Sequence, residues 1–177
     1  METLSDDERL AELLRLGVSP NLIKLASGTH LHPAFQTLGI GYPSEDWSME
    51  LPKDFVPMWR CGATVTGCQL TMHGLEFVRV YLALAGMPLV RIALTEQGLL
   101  TEVFHVLLDH QAKAGEAIDD DLSGAAKAVG FEFYQELKAK HMPLGQTRDL
   151  QERAMVALID SRSKRIETVN PSRPAAI

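Results

Sequence analysis

The chain is poor in cysteine, poor in aromatic residues and short of any long apolar run. Cys61 and Cys68 are the two cysteines in 177 residues. They are too few for a disulfide scaffold and lack the spacing of a four-ligand zinc site, so free thiols in a reducing compartment are expected. Nowhere do eighteen apolar residues run together, and Met-Glu-Thr-Leu-Ser-Asp-Asp-Glu opens the sequence without a basic segment ahead of an apolar one. Neither a membrane span nor a secretory leader is therefore expected, and the cytoplasm is the expected location. Basic charge is also scarce. Seventeen Lys plus Arg against 23 Asp plus Glu give a net charge of −6, which disfavours direct binding to a nucleic-acid backbone and favours basic partners. There is no Gly-x-Ser-x-Gly elbow and no dinucleotide fingerprint, and the stretch 62–67 lacks the Lys-Ser/Thr pair of a phosphate-cradling loop. No cofactor and no catalytic residue are implied.

What is present suits a globular α+β protein with a real core: 46% of residues are hydrophobic and 23% charged. Leu10, Leu13 and Leu14 follow helical spacing behind a cap at Ser5 and the acids Asp6, Asp7 and Glu8. Gly17 stops this helix, and Ser19-Pro20 starts a second one, with Leu22, Ile23 and Ala26 on one face and Gly28 at its end. Residues 28–52, with Gly39-Ile40-Gly41-Tyr42-Pro43, read as an ordered loop region. Phe55-Val56-Pro57-Met58-Trp59 begins a sheet, and its proline points to an edge strand. Between Ala63 and Met72 the alternation changes phase at Gly67, where a bulge is expected. Val78, Val80, Leu82 and Leu84, then Val90, Ile92 and Leu94, form core rows on strands joined by a hairpin at Ala85-Gly86-Met87-Pro88. Arg79, Tyr81 and Arg91 fall on the other face, which is expected to be solvated or to bind something. Thr95 caps a helix carrying Leu99, Leu100, Val103, Phe104, Leu107 and Leu108, and this helix is expected to cover the sheet. Leu122, Ala125, Ala126, Val129, Phe133 and Leu137 make another long helical face. A last helix has Leu150, Ala154, Leu158 and Ile159 inward, and the end of the chain reads as a mobile tail.

Several residue groups invite chemistry. His30-x-His32 sets two imidazoles on one side of an extended segment, but no third ligand accompanies them in sequence, so a loop or packing role is expected rather than a metal site. His105 and His110 lie five apart on a helix and share no face. Cys61 or Cys68 with His73 as base would make a thiol nucleophile. However, Cys68 and His73 differ in parity along a strand, and Cys68 shares an apolar face with Leu70 and Met72, which reads as a buried structural cysteine. The remaining cluster is acidic and aromatic: Asp46, Trp47, Glu50, Asp54 and Trp59, with Glu45, lie within fifteen residues. Through residue 56 nine acids face four bases, so the acidity gathers near the N-terminus. Aromatic anchors among steering carboxylates suit an interface for a basic protein. Equally, Trp47 and Trp59 are candidates for the core, with the acids solubilising a loop.

Gly17-Val18-Ser19-Pro20-Asn21-Leu22-Ile23-Lys24-Leu25, with Gly28 after it, resembles the glycine, proline and second-helix signature of the SUKH (Smi/Knr-like) superfamily of bacterial immunity and related proteins. Val56-Pro57-Met58-Trp59-Arg60-Cys61-Gly62, Gly67, Phe77-Val78 and a later helix with Leu99, Phe104 and Leu107 resemble that family's strand and final-helix pattern. The likeness covers about residues 5–110. Ser27-Gly28 stands where the family usually has Asn-Gly, and the helices after residue 115 look like an addition. The resemblance implies a domain over residues 5–112, a helical extension packed on it over 116–163 and a flexible tail over 164–177. It also implies a non-enzymatic immunity protein that binds a cognate polymorphic toxin, often a nuclease, and occludes its active site. Asp46, Trp47, Glu50, Asp54 and Trp59 are the expected binding residues, with Arg79, Tyr81 and Arg91 as a second face; a dimer is admitted. The rival readings are a small-molecule or peptide-binding module with an apolar pocket and convergent polar groups, and a thiol or metal enzyme using Cys61, Cys68 and the histidines.

Overall fold

The computed structural model describes residues 5–29, 31–41, 51–52, 54–82, 88–114, 120–141 and 148–169. They form an α+β protein of helices α1 (Asp6–Arg15), α2 (Pro20–Ala26), α3 (Glu96–Ala114), α4 (Asp120–Val129), α5 (Tyr134–Lys140) and α6 (Arg148–Val169). With them are strands β1 (Ile40–Gly41), β2 (Phe55–Cys61), β3 (Thr64–Thr71), β4 (Gly74–Tyr81) and β5 (Leu89–Ala93). The chain divides into two compact units, Met1–Arg91 and Ile92–Ile177. The expected limits of 5–112 and 116–163 group α3 with the sheet; in this division α3 lies in the second unit, where it packs on α4, α5 and α6.

In the first unit a Ser5–Glu8 capping box starts α1. Glu8 N donates to Ser5 Oγ, while Ser5 N donates to Glu8 Oε2 at 2.9 Å, satisfying two otherwise orphaned helix-end donors. Ser19 caps α2, whose first residue is Pro20. The region expected to be loop contains a 3-10 helix, Pro33–Leu38, begun by His32, and the two-residue β1. The sheet runs in sequential order from β1 to β5, and its first three pairings are antiparallel.

The irregularity expected at Gly67 is present but lies on the opposite strand. Pro57 pairs with Gly67 and Trp59 with Thr66, so Met58 in β2 is the extra residue. Gly67 answers it by its small size: an added Cβ would overlap the Val56 carbonyl oxygen and sit 2.6 Å from the Phe55 ring. Among the described residues β1 pairs only with Arg60 and Cys61, so none of them forms a strand beside Pro57 on that side of β2, where a proline costs no ladder hydrogen bond. There the Arg9 guanidinium, 2% exposed, donates to the carbonyls of Pro57, Met58 and Ala26, tying α1, α2 and the bulge together.

Both faces of the sheet are buried at its middle, so the second face, expected to be solvated or to bind something, is not solvated there. Register places Phe55, Val65, Val78 and Val80 on one face, with Leu51 and Leu82 packed beside them. Val56, Trp59, Cys68 and Phe77 are buried on the other. Val90, expected in the core, is exposed. Leu84 and residues 85–87 of the hairpin expected at 85–88 lie outside the described residues.

In the second unit the expected single helix through Leu137 is two. Gly130, at φ +75°, leaves the helical path after α4. The Gln97 side chain clamps the break, donating to the Gly130 carbonyl at 2.9 Å and accepting from Glu132 N at 3.0 Å. Phe131 and Tyr134 then pack on Phe104 of α3. Helix α6 continues to Val169, into the tail expected over 164–177, and buries Met155, Val156, Ile159, Asp160 and Ser163, whereas Leu150 is 71% exposed. Its rotation follows from Asp160, whose carboxylate accepts from Leu94 N at 2.8 Å and Thr95 Oγ at 2.6 Å while Thr95 Oγ accepts from Gly98 N. A carboxylate at the start of α3 meets the helix dipole and its orphaned N–H groups. It also turns the 150, 154, 158 stripe away from the interior.

Candidate functional site

The residues expected to bind a partner do not form one surface. Asp46, Trp47 and Glu50 lie outside the described residues. Asp54 is exposed, but Trp59 is 4% exposed and belongs to the core, which removes it as an anchor. Its place follows from the bulge, which leaves Trp59 opposite Thr66 on the face shared with Cys68 and Phe77. Arg79 and Tyr81 are half-buried on that face. Arg91, exposed on β5, lies 3.6 Å from Glu76, whose side chain takes the parity of Val78 and Val80 on the opposite face. The second face expected from Arg79, Tyr81 and Arg91 is therefore split by the sheet.

Sequence pattern missed what gathers at one end of this sheet. Asp54 precedes Phe55, the partner of Gln69, so it lies at the same end as the β3–β4 turn. That turn presents Met72, 93% exposed, beside an exposed Leu70, with His73 N donating to Thr71 Oγ. An exposed apolar tip thus shares an end of the sheet with the Asp54 carboxylate, where alternation alone placed Leu70 and Met72 in an apolar core row.

The thiol and histidine groups are separate. Cys68 is fully buried, and the exposed Cys61 donates from Sγ to the Leu38 carbonyl at 3.3 Å. His32 Nδ1 accepts from Ala34 N at 3.3 Å, a capping role; His30 lies outside the described residues.

A second polar constellation lies in the helical unit, where the sequence pattern sets His105 only against His110. His105 and Asp109, one turn apart on the buried side of α3, meet His141, which follows α5. The Nδ1 atoms of His105 and His141 are 3.4 Å apart, and His141 Nε2 lies 3.5 Å from Asp109 Oδ1. The His105 and His141 rings are tilted to one another. His105 also reaches the wall of a cavity of about 290 Å³ lined by Leu137, Lys140, Gln151, Ala154, Met155 and Leu158. Lys140 Nζ donates to Glu136 Oε1 at 2.7 Å, and Glu136 also accepts from Arg162. These bonds, that from Lys140 first, hold the Glu136 carboxyl below the ordinary carboxylate range. The available signal was a His and an Asp at helical spacing within an apolar stripe. The partner that gives it meaning stands 36 residues away.

Comparison of the chain with protein-family models, with curated proteins and with solved structures returned no match. No helix among the described residues is long and apolar enough to cross a membrane.

Proposed function

We propose that this chain is a non-enzymatic immunity protein that binds a cognate bacterial polymorphic toxin and blocks its active site in the cytoplasm of the producing cell. The observation that supports it is the order of elements: a serine-capped helix pair, a sheet threaded in sequential order, then a long helix, the arrangement that the SUKH resemblance implies. Inhibition of this kind asks for a preorganised surface, because binding then costs little ordering entropy. The sheet end with Asp54, Leu70 and Met72 fits that task. Met72 and Leu70 serve as apolar anchors, and the carboxylate steers a basic partner, of which a nuclease is the favoured kind. Asp46, Trp47 and Glu50 stay in the proposal as partner-binding residues without a stated place; Trp59, Arg79, Tyr81 and Arg91 leave it.

The test is affinity purification of the tagged chain from its host, mass spectrometry of what remains after a moderate-salt wash, and co-expression. The expected result is one large protein with a variable C-terminal domain that arrests growth of cells lacking this chain, and growth restored by supplying it. Arrest that co-expression fails to relieve would overturn the reading.

A further inference from the structure

We infer that the cavity of the helical unit is a binding site for one medium-chain carboxylate, of the size of octanoate to decanoate, a ligand the toxin reading does not call for. Helices α5 and α6 both pack on α3 but approach one another little, which leaves a trough between them with His105, Leu137 and Met155 as its buried lining. The Glu136–Arg162 ion pair links the two helices across the gap. On α6 the trough is lined by Gln151, Ala154, Met155 and Leu158. These share one helix face over two turns, a run of about 10 Å along the axis. Such a shape suits an extended chain, and the unbranched Met155 side chain adapts to a flexible one. Size follows from volume. An apolar cavity of about 150 Å³ holds one benzene ring, so the cavity of about 290 Å³ takes about ten to twelve non-hydrogen atoms.

Charge selects the head group. The described lining holds no carboxylate, and its polar members are an ammonium, an amide and an imidazole, on Lys140, Gln151 and His105. An ammonium has three N–H donors. Among the described residues Glu136 is the one acceptor of Lys140 Nζ, and the Lys140 side chain is about half exposed, which puts it at the opening. Lys140 and Arg162 share that single Glu136 carboxylate, so the ion cluster beside the opening keeps one positive charge in excess. An anionic head there gains a charge-assisted hydrogen bond while its chain leaves water against Leu137, Ala154, Met155 and Leu158. The chain also covers Leu158, one of the exposed large apolar residues. A neutral head forgoes the charge-assisted bond, and a cationic head meets repulsion from Lys140.

The experiment titrates the full chain, ¹³C-labelled at its Ala, Leu and Met methyl groups, with hexanoate, octanoate and decanoate, and with octan-1-ol and octylammonium as controls. The expected result is one saturable equivalent of decanoate that shifts the Ala154, Met155 and Leu158 methyl resonances. Affinity is expected to rise up to about fourfold per methylene from hexanoate and to level off near decanoate, where the trough is full. Octan-1-ol binds less tightly than octanoate, and octylammonium least of the three. Lys140→Gln is expected to weaken octanoate about threefold to tenfold and to leave octan-1-ol unchanged. Ala154→Trp, at an exposed position, is expected to fill the trough and abolish binding without lowering the melting temperature. The wild-type methyl shifts decide the matter even where that variant fails to fold. Methyl resonances of the trough unmoved by decanoate would overturn the site. Octylammonium binding as tightly as octanoate would overturn the selection for an anion, and undiminished decanoate binding in folded Ala154→Trp would overturn the trough as its place.

Discussion

The guanidinium of Arg9 places its donors on the main-chain carbonyls of Pro57, Met58 and Ala26, and on the Asp6 carboxylate. Burial lowers its proton affinity from the ordinary arginine value, and Asp6 pulls the other way. An arginine keeps its charge throughout this range. No other side chain supplies a planar fork wide enough for carbonyls on two elements, and a lysine offers only a point charge. Arg9→Met leaves those acceptors buried and unpaired, so a loss of roughly 3 kcal/mol is expected from the desolvation of two or three carbonyls. Arg9→Lys is expected to recover less than half of it. Urea unfolding of the three proteins, read at the midpoint with the slope held to the wild-type value, measures this. A loss below about 0.5 kcal/mol for Arg9→Met, the range of an ordinary surface substitution, would show that water satisfies the carbonyls instead.

Element by element, what the sequence showed was local and what it hid was tertiary. The helix starts at Ser5, Ser19 and Thr95 were readable because capping is decided within three residues. The strands from Phe55 to Tyr81 were readable from alternation. The side of the bulge was not, because a phase change in β3 looks the same whether the extra residue is Met58 or Gly67. Nor was the inward face of α6, since Asp160 is turned inward by Leu94 and Thr95, more than sixty residues earlier. The His105, Asp109 and His141 group was hidden for the same reason, and the exposed Met72 because a hairpin tip ends the strand pattern that would bury it. The α1 cap carries its own prediction. Hydrogen bonds from the Ser5 side chain, and next from its backbone N–H, hold the Glu8 carboxyl below its ordinary value of 4.5. A carboxyl lowered on folding contributes its stabilisation in full above the unfolded value and loses it as pH falls through the lowered one. Amide exchange in the first turn of α1 is therefore expected to accelerate below pH 4.5, beyond its intrinsic pH dependence, ahead of the rest of the helix. In Glu8→Gln that pH step disappears. If the step persists in Glu8→Gln, some other group opens the helix.

At the scale of the whole molecule, a net charge of −6 acts on partners before any contact forms. Its effect is on the rate of encounter, and it fades as salt shortens the Debye length to about 3 Å at 1 M. Interface side chains act afterwards, on the rate of escape. The sheet end separates the two effects, because Asp54 is a charge at its rim and Met72 an uncharged tip. Against a basic toxin domain, Asp54→Lys is expected to slow association about threefold to tenfold at low ionic strength, to converge on wild type as salt rises, and to leave dissociation nearly unchanged. Met72→Ala is expected to do the reverse, speeding dissociation about tenfold or more with little change in association, since truncating a buried anchor costs about 2 kcal/mol. Stopped-flow association at several salt concentrations, paired with competition-driven dissociation, resolves the two. Identical rates for both variants and wild type would remove this end of the sheet from the interface and leave the toxin reading to rest on another surface. An equal slowing by Asp54→Lys at all salt concentrations would mean that Asp54 acts by touching the partner at short range and does not steer it, because only the long-range part of the interaction is screened.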